Sequence, residues 1–149
     1  MSILLERAEQ ALEVALPRAL QVEFVDPDDP DAGVRFVVDG LAVTPFATLH
    51  GAALAAVVEL AGFLAVLPTL DLEEHAVTAH IATQYLRAAR AGDRVEVHAR
   101  LDRRSRAMGF VTVTAFTLGP SDAVDHRATG HPQIATSQIT KAIVRSSMA

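Results

Sequence analysis

Glu59 is the only charged residue between Ala52 and Leu67, in a run of apolar and small residues that opens on His50-Gly51 and stops before Pro68. A carboxylate buried without partners is costly, so such a group is paired, protonated or functional. Nothing in so apolar a stretch needs a glutamate for structure. Gly51 is the second candidate. At the first turn of a helix its N–H is an unsatisfied donor with the positive end of the helix dipole behind it, and glycine lets a ligand approach closely. That combination suits a carbonyl turning into a tetrahedral oxyanion. The alternative is a glycine kept for tight packing where loop meets helix. For Glu59 the alternative is a structural carboxylate bonded to a buried His or Arg.

The spacing of the pair is informative. Glu59 follows Gly51 by eight residues, about 12 Å along a helix axis. A reacting carbon cannot lie about 3 Å from both, as acyl transfer requires. If both act on one substrate, they come from different copies of the chain, and the site lies at a homodimer interface.

The elements that must hold these residues can be read from the pattern. Residues 2–16 have helical periodicity, with Ser2 as cap and Pro17 as stop, so an N-terminal helix is expected within 1–17. Leu20, Val22 and Phe24 alternate as a strand. The segment DPDDPDAG (26–33) reads as a long hairpin loop before a second strand, Val34–Val38. After the loop Gly40–Leu49 comes a buried central helix over 50–67. Strands are expected over His75–Leu86, Asp93–Arg103, Ala107–Leu118 and Ile134–Val144. In the first of these, Val77, Ala79, Ile81 and Tyr85 oppose Thr78, His80 and Gln84. In the second, Val95, Val97, Ala99 and Leu101 oppose Arg94, Glu96, His98 and Arg100. Short connections imply antiparallel neighbours. One apolar helix against one large sheet implies an α+β domain over 1–149, with the sheet curled around the helix.

Composition bounds the function. Of 149 residues, half are hydrophobic and 21% charged, which places the chain among globular proteins. A net charge of −5 argues against nucleic acid as a partner. The absence of cysteine excludes disulfides, thiol catalysis and thiolate metal sites, and fits a reducing cytoplasm. The N-terminal residues carry Glu6, Glu9 and Glu13 without a basic segment, so a signal peptide is not expected. The Ala52–Leu67 run is shorter than the roughly 20 residues of a membrane span and is broken by Glu59 and Gly62, so it reads as a core helix and no membrane association is expected.

The segment TLHGAALAAVVELAGFLA resembles the signature helix of hotdog-fold acyl-CoA thioesterases, the superfamily of the phenylacetate-pathway and 4-hydroxybenzoyl-CoA thioesterases. That family has His-Gly-Gly at the helix start and an acidic residue nine positions after the His, matched by His50 and Glu59. VTAHIATQYLRAARAGDRVEVHARL resembles its next two strands and IATSQITKAIV its last; the likeness spans roughly residues 18–145. It implies a hotdog fold, a curved antiparallel sheet around one central helix, in dimers with a continuous sheet and dimers of dimers. It implies hydrolysis of an acyl-CoA or related thioester, without metal or other cofactor. Gly51 would be the donor to the thioester carbonyl. Glu59 would be general base or, through an anhydride, nucleophile. Thr78 matches a Ser/Thr that helps hold the attacking water, or is an ordinary strand residue.

Two positions depart from the family pattern. Its second glycine is Ala52, which a helix accepts. Its Asn or Gln six residues before the His is Thr44, a shorter group on the substrate side. The run Val58-Glu59-Leu60-Ala61 leans toward a branch of uncertain activity. Hence the alternative function: a non-catalytic acyl-CoA-binding or structural oligomer. A hydratase would need a His in Gly40–Leu49, which is lacking.

Other candidates are weighed against plain structural roles. Arg87, Arg90, Arg103, Arg104 and Arg106 could hold CoA phosphates or be solvated surface arginines. Phe46, Leu49 and Phe63 could line an acyl pocket or pack the core. His50 starts the helix beside the substrate and is not expected to bind metal. No metal is expected at His126 or His131, which lack ligand-like spacing.

Overall fold

A computed structural model describes residues 2–120 and 130–146. Two short helices, α1 (Ile3–Leu12) and α2 (Ala15–Ala19), precede a hairpin of β1 (Glu23–Asp26) and β2 (Asp29–Val37). The central helix α3 (Gly51–Val66) follows, then β3 (Glu74–Tyr85), β4 (Asp93–Arg104), β5 (Met108–Pro120) and β6 (Gln133–Arg145). The six strands form one antiparallel sheet in the order β1-β2-β4-β5-β6-β3. This is the expected α+β hotdog layout.

Three expectations need correction. The N-terminal helix does not run to Pro17. It ends at Leu12, and Val14 is extended (ψ 153) before α2 starts. A proline ring clashes with the carbonyl four residues upstream, here Glu13. The break therefore falls before Pro17, which sits in the first turn of α2, where its missing N–H costs nothing. The segment DPDDPDAG is not a loop. Asp26 pairs with Asp29 across a two-residue turn, and the rest extends β2. Pro30 is tolerated because β4 begins to pair with β2 only at Val34. Finally, β3 does not pair with β4, although they are consecutive. The connecting segment is tied to the loop before α3, where Leu49 N–H donates to Ala89 O and Ala91 N–H to Ala47 O. The chain thus crosses the start of α3 and leaves β3 at the far edge of the sheet.

Glycine and small residues set the spacing of helix and sheet. Val57, Val58 and Leu64 of α3 pack with Val34, Val97, Val113 and Ile139 in one core; each such side chain contributes about 1.5–3 kcal/mol on burial. At Gly62 a Cβ would lie 2.7 Å from Ile139 Cδ1 and 3.6 Å from Lys141 Cε. A side chain here would displace the end of Ile139, so glycine leaves that side chain and Lys141 their present places against the helix. The helix is not buried all round: Ala52, Ala56, Glu59 and Phe63 form an open stripe, and Ala52 and Glu59 are exposed. By length and composition Gly51–Thr69 could cross a membrane, yet most of it is buried inside the fold.

Candidate active site

Glu59 projects from the open stripe of α3. Its side chain is 51% exposed, where the sequence suggested burial, because it lies on the open stripe of the helix rather than in the core. Beneath it lies Lys141, the only lysine of the chain, 1% exposed and directly opposite Thr78 in the β3–β6 ladder. Lys141 Nζ donates to Glu59 Oε1 at 2.9 Å, to Thr78 Oγ1 at 2.7 Å and to the Glu59 carbonyl at 3.3 Å. Thr78 Oγ1 in turn donates to Glu59 Oε1 at 2.5 Å. A bulge between Thr78 and His80 shifts the strand at this point, and bulges commonly re-aim side chains at sites. It also ends the simple alternation expected along β3.

All three ammonium protons of Lys141 are thereby used, and both side-chain bonds to Glu59 converge on one oxygen. Burial alone would raise the Glu59 carboxyl, but the Thr78 hydroxyl and the Lys141 ammonium together outweigh it and hold the group below its ordinary value. A cavity of about 330 Å³ opens beside the pair, walled by Phe63 and Leu60 of α3 and by Ala11, Val14 and Leu16 of the N-terminal helices. Its size falls at the low end of small-molecule sites, roughly 300–1,000 Å³. Among the described residues its lining is uncharged apart from Glu59 and Lys141.

Gly51 occupies a different place. It is the first residue of α3, after an extended His50 whose Nδ1 accepts the Ala52 N–H at 3.1 Å. No described residue accepts the Gly51 N–H. Tyr85 donates to the Gly51 carbonyl at 3.0 Å. A second cavity, about 350 Å³, holds Gly51 with Leu49, Tyr85 and Arg87. A Cβ on Gly51 would find its nearest neighbour, the Tyr85 ring, at 3.6 Å, an ordinary contact. Packing within the chain therefore does not account for glycine here.

The remaining candidates scatter. The hydroxyl of Thr44 is engaged by its own loop: it pairs with the Thr48 hydroxyl at 2.8 Å and accepts the Phe46 N–H at 3.2 Å. Phe46 stands 87% exposed at the tip of that loop. Arg104 is committed to Glu74 at 3.2 Å and to Thr69, near the opposite end of α3 from Gly51. Arg90, Arg103 and Arg106 are exposed. His126 lies outside the described residues. Among the described residues no cluster of three or more acidic, His or Cys side chains could hold a metal.

Lys141 is the functional candidate that sequence reasoning missed. The signal was present: a chain with twelve arginines spends its single lysine inside the apolar strand ITKAIV.

This architecture, with a polar cluster on the open face of its central helix, is the hotdog class. The thioesterase superfamily model matches residues 46–124, just over half of the chain, and the chain belongs to that superfamily. No curated protein sequence matches it. Among solved structures it is similar to a thioesterase of Haemophilus influenzae (TM-score 0.78, 19% identity, covering 100% of this chain and 97% of that one). It is also similar to the PaaI protein of the Escherichia coli phenylacetic acid degradation operon (0.73, 16%, covering 95% and 94%). A Streptococcus mutans protein bound to acetyl-CoA is a further neighbour (0.62, 18%, covering 76% and 80%).

Proposed function

We propose that the protein hydrolyses an acyl-CoA or related thioester at a site shared by two copies of the chain. The observation that carries this reading is Glu59, kept ionised by Thr78 and Lys141 on the wall of an apolar cavity. The acyl group lies in that cavity. The Glu59 carboxylate activates water or attacks the carbonyl itself, and Thr78 steadies it. The oxyanion is held by the Gly51 N–H of the second copy at its helix N-terminus. Within one chain these two groups line separate cavities, which supports the shared site. Membership in the thioesterase superfamily and a neighbour holding acetyl-CoA support the substrate class. Arg87 lines the cavity that holds Gly51, which supports a role toward the CoA phosphates.

Strand β3 supplies the means of pairing. It is a sheet edge of twelve residues carrying exposed Val77, Ile81 and Tyr85. An edge this long and apolar calls for a strand partner, and an antiparallel second copy would make the sheet continuous. One observation favours the rival reading, acyl-CoA binding without turnover: Thr44 spends its hydroxyl on its own loop.

The deciding experiment is thiol release from a panel of acyl-CoAs by the wild type and Glu59→Gln. Loss of general-base help lowers kcat by roughly 10²–10⁴-fold. Unchanged turnover in Glu59→Gln would overturn the mechanism. Binding of CoA esters with no turnover of any panel member would establish the rival.

A further inference from the structure

We propose that Lys141 is a positioning residue of the hydrolytic site: it pins Glu59 Oε1 with Thr78, so that Oε2 is the oxygen that meets water or the thioester. This deepens the reading above and rests on it.

The argument begins with cost. A lysine 1% exposed gives up its hydration, and such burial is tolerated only when every proton is bonded and an opposite charge is close. A plain hydrophobic residue at position 141 would pack the strand at less cost, since Ile139 and Ile143 show what ITKAIV otherwise prefers. Lys141 is retained in a place where, among the described residues, its only anionic contact is Glu59. The arrangement is directional. One proton reaches Oε1, a second the Thr78 hydroxyl, a third the Glu59 carbonyl, and the Thr78 proton returns to Oε1. Oε1 therefore carries two bonds, while no described residue bonds Oε2. Two bonds to one oxygen restrict the carboxylate's rotation and leave its other oxygen for chemistry.

The charges around Glu59 are few. From β6 it meets Lys141, and from β3 the Thr78 hydroxyl. From α1 and α2 only apolar side chains reach the shared cavity, and α3 itself has no second charge. Removing the ammonium therefore removes the one positive charge of the described residues that acts on the carboxylate, and its protonation should move to higher pH as burial is left opposed by Thr78.

The test uses Lys141→Met, with folding checked by circular dichroism and thermal melting, and Lys141→Cys alkylated with 2-bromoethylamine. The chain has no cysteine, so alkylation in denaturant before refolding rebuilds a lysine-like amine at this position only. Expected for Lys141→Met is a kcat lowered roughly 10- to 100-fold with little change in KM, and an acid limb of kcat/KM displaced to higher pH. The aminoethylated variant should regain the wild-type limb. A Lys141→Met protein with wild-type kcat and an unmoved acid limb overturns the proposal. Carboxyl titration of Glu59 by carbon NMR is read in parallel. If the wild type hydrolyses no thioester, the functional reading falls and the catalytic use of the pair with it. In that case an upward move of the Glu59 titration in Lys141→Met still shows the Lys141–Glu59 pair, and no move refutes it.

Discussion

At its N-terminus α3 offers backbone; eight residues later it offers a side chain. Around Gly51 the working group is an N–H left over by helix geometry, and the neighbours, His50 and Tyr85, bind other atoms of the same turn. Around Glu59 the working group is a carboxylate that two tertiary contacts hold, one from Thr78 and one from Lys141, 82 residues away in sequence. The first half-site is local and cheap. The second depends on β3, β6 and α3 being packed correctly. Each lines its own cavity, so in the proposed reading a single chain displays two halves of one centre. A symmetric pair would bring unlike halves together twice, as a two-fold axis demands.

The comparison can be broken most severely at the edge that joins copies. Ile81→Lys puts a charge on exposed β3, and charges block edge pairing. Light scattering should then report a monomer, with thioester hydrolysis reduced to background. A variant that stays dimeric and active would discard β3 as the joining edge.

Gly51→Pro tests the backbone half. Proline is favoured at the first helical position and lacks the N–H, and His50 before it is already extended, as a pre-proline residue must be. The fold should survive, while kcat falls roughly 10²–10³-fold. Mixing this variant with Glu59→Gln sharpens the result. A random dimer pool has one intact site in about half of its members, so about a quarter of wild-type activity should return. No recovery on mixing would show that both groups serve a site within one chain.

The smallest effect is on stability. Glu59, Glu74 and Glu96 are all held below the ordinary carboxylate value. Thr78 and Lys141 overcome burial at Glu59; a backbone bond from Asp71 leads at Glu74, and His98 at Glu96. Groups lowered on folding stabilise the native state above their unfolded value, about 4.3 for Glu, and that contribution is lost as pH falls through the folded values. The urea midpoint should therefore drop between pH 6 and pH 3. In Lys141→Met the drop should be shallower, whereas in Gly51→Pro its steepness should match the wild type. Equal slopes in all three would disconnect Lys141 from Glu59.

Much of this was legible in the residues, because it rests on local rules. A continuous apolar run and the His50-Gly51 junction located α3, and alternation located the four long strands. A lone charge in an apolar helix marked Glu59. The errors came where one rule met another. Pro17 acts on the carbonyl before it as well as on its own position, so the helix broke upstream. Turn-forming residues in 26–33 hid a strand that pairs on one side.

What the chain's order of residues determined by itself was the inventory: one apolar helix, a glycine at its start, a carboxylate two turns on, and strands to cover them. Their separation along a rigid helix also followed, since the rise per residue is set by backbone geometry. Only the tertiary structure decided what surrounds the carboxylate. Thr78 and Lys141 lie on strands remote in sequence, and they meet because β3 crosses to the far edge and pairs with β6 in one register. Gly62 then leaves room for the Ile139 and Lys141 side chains against the helix. Pairing partner and register depend on contacts summed over the whole sheet, which no local pattern contains.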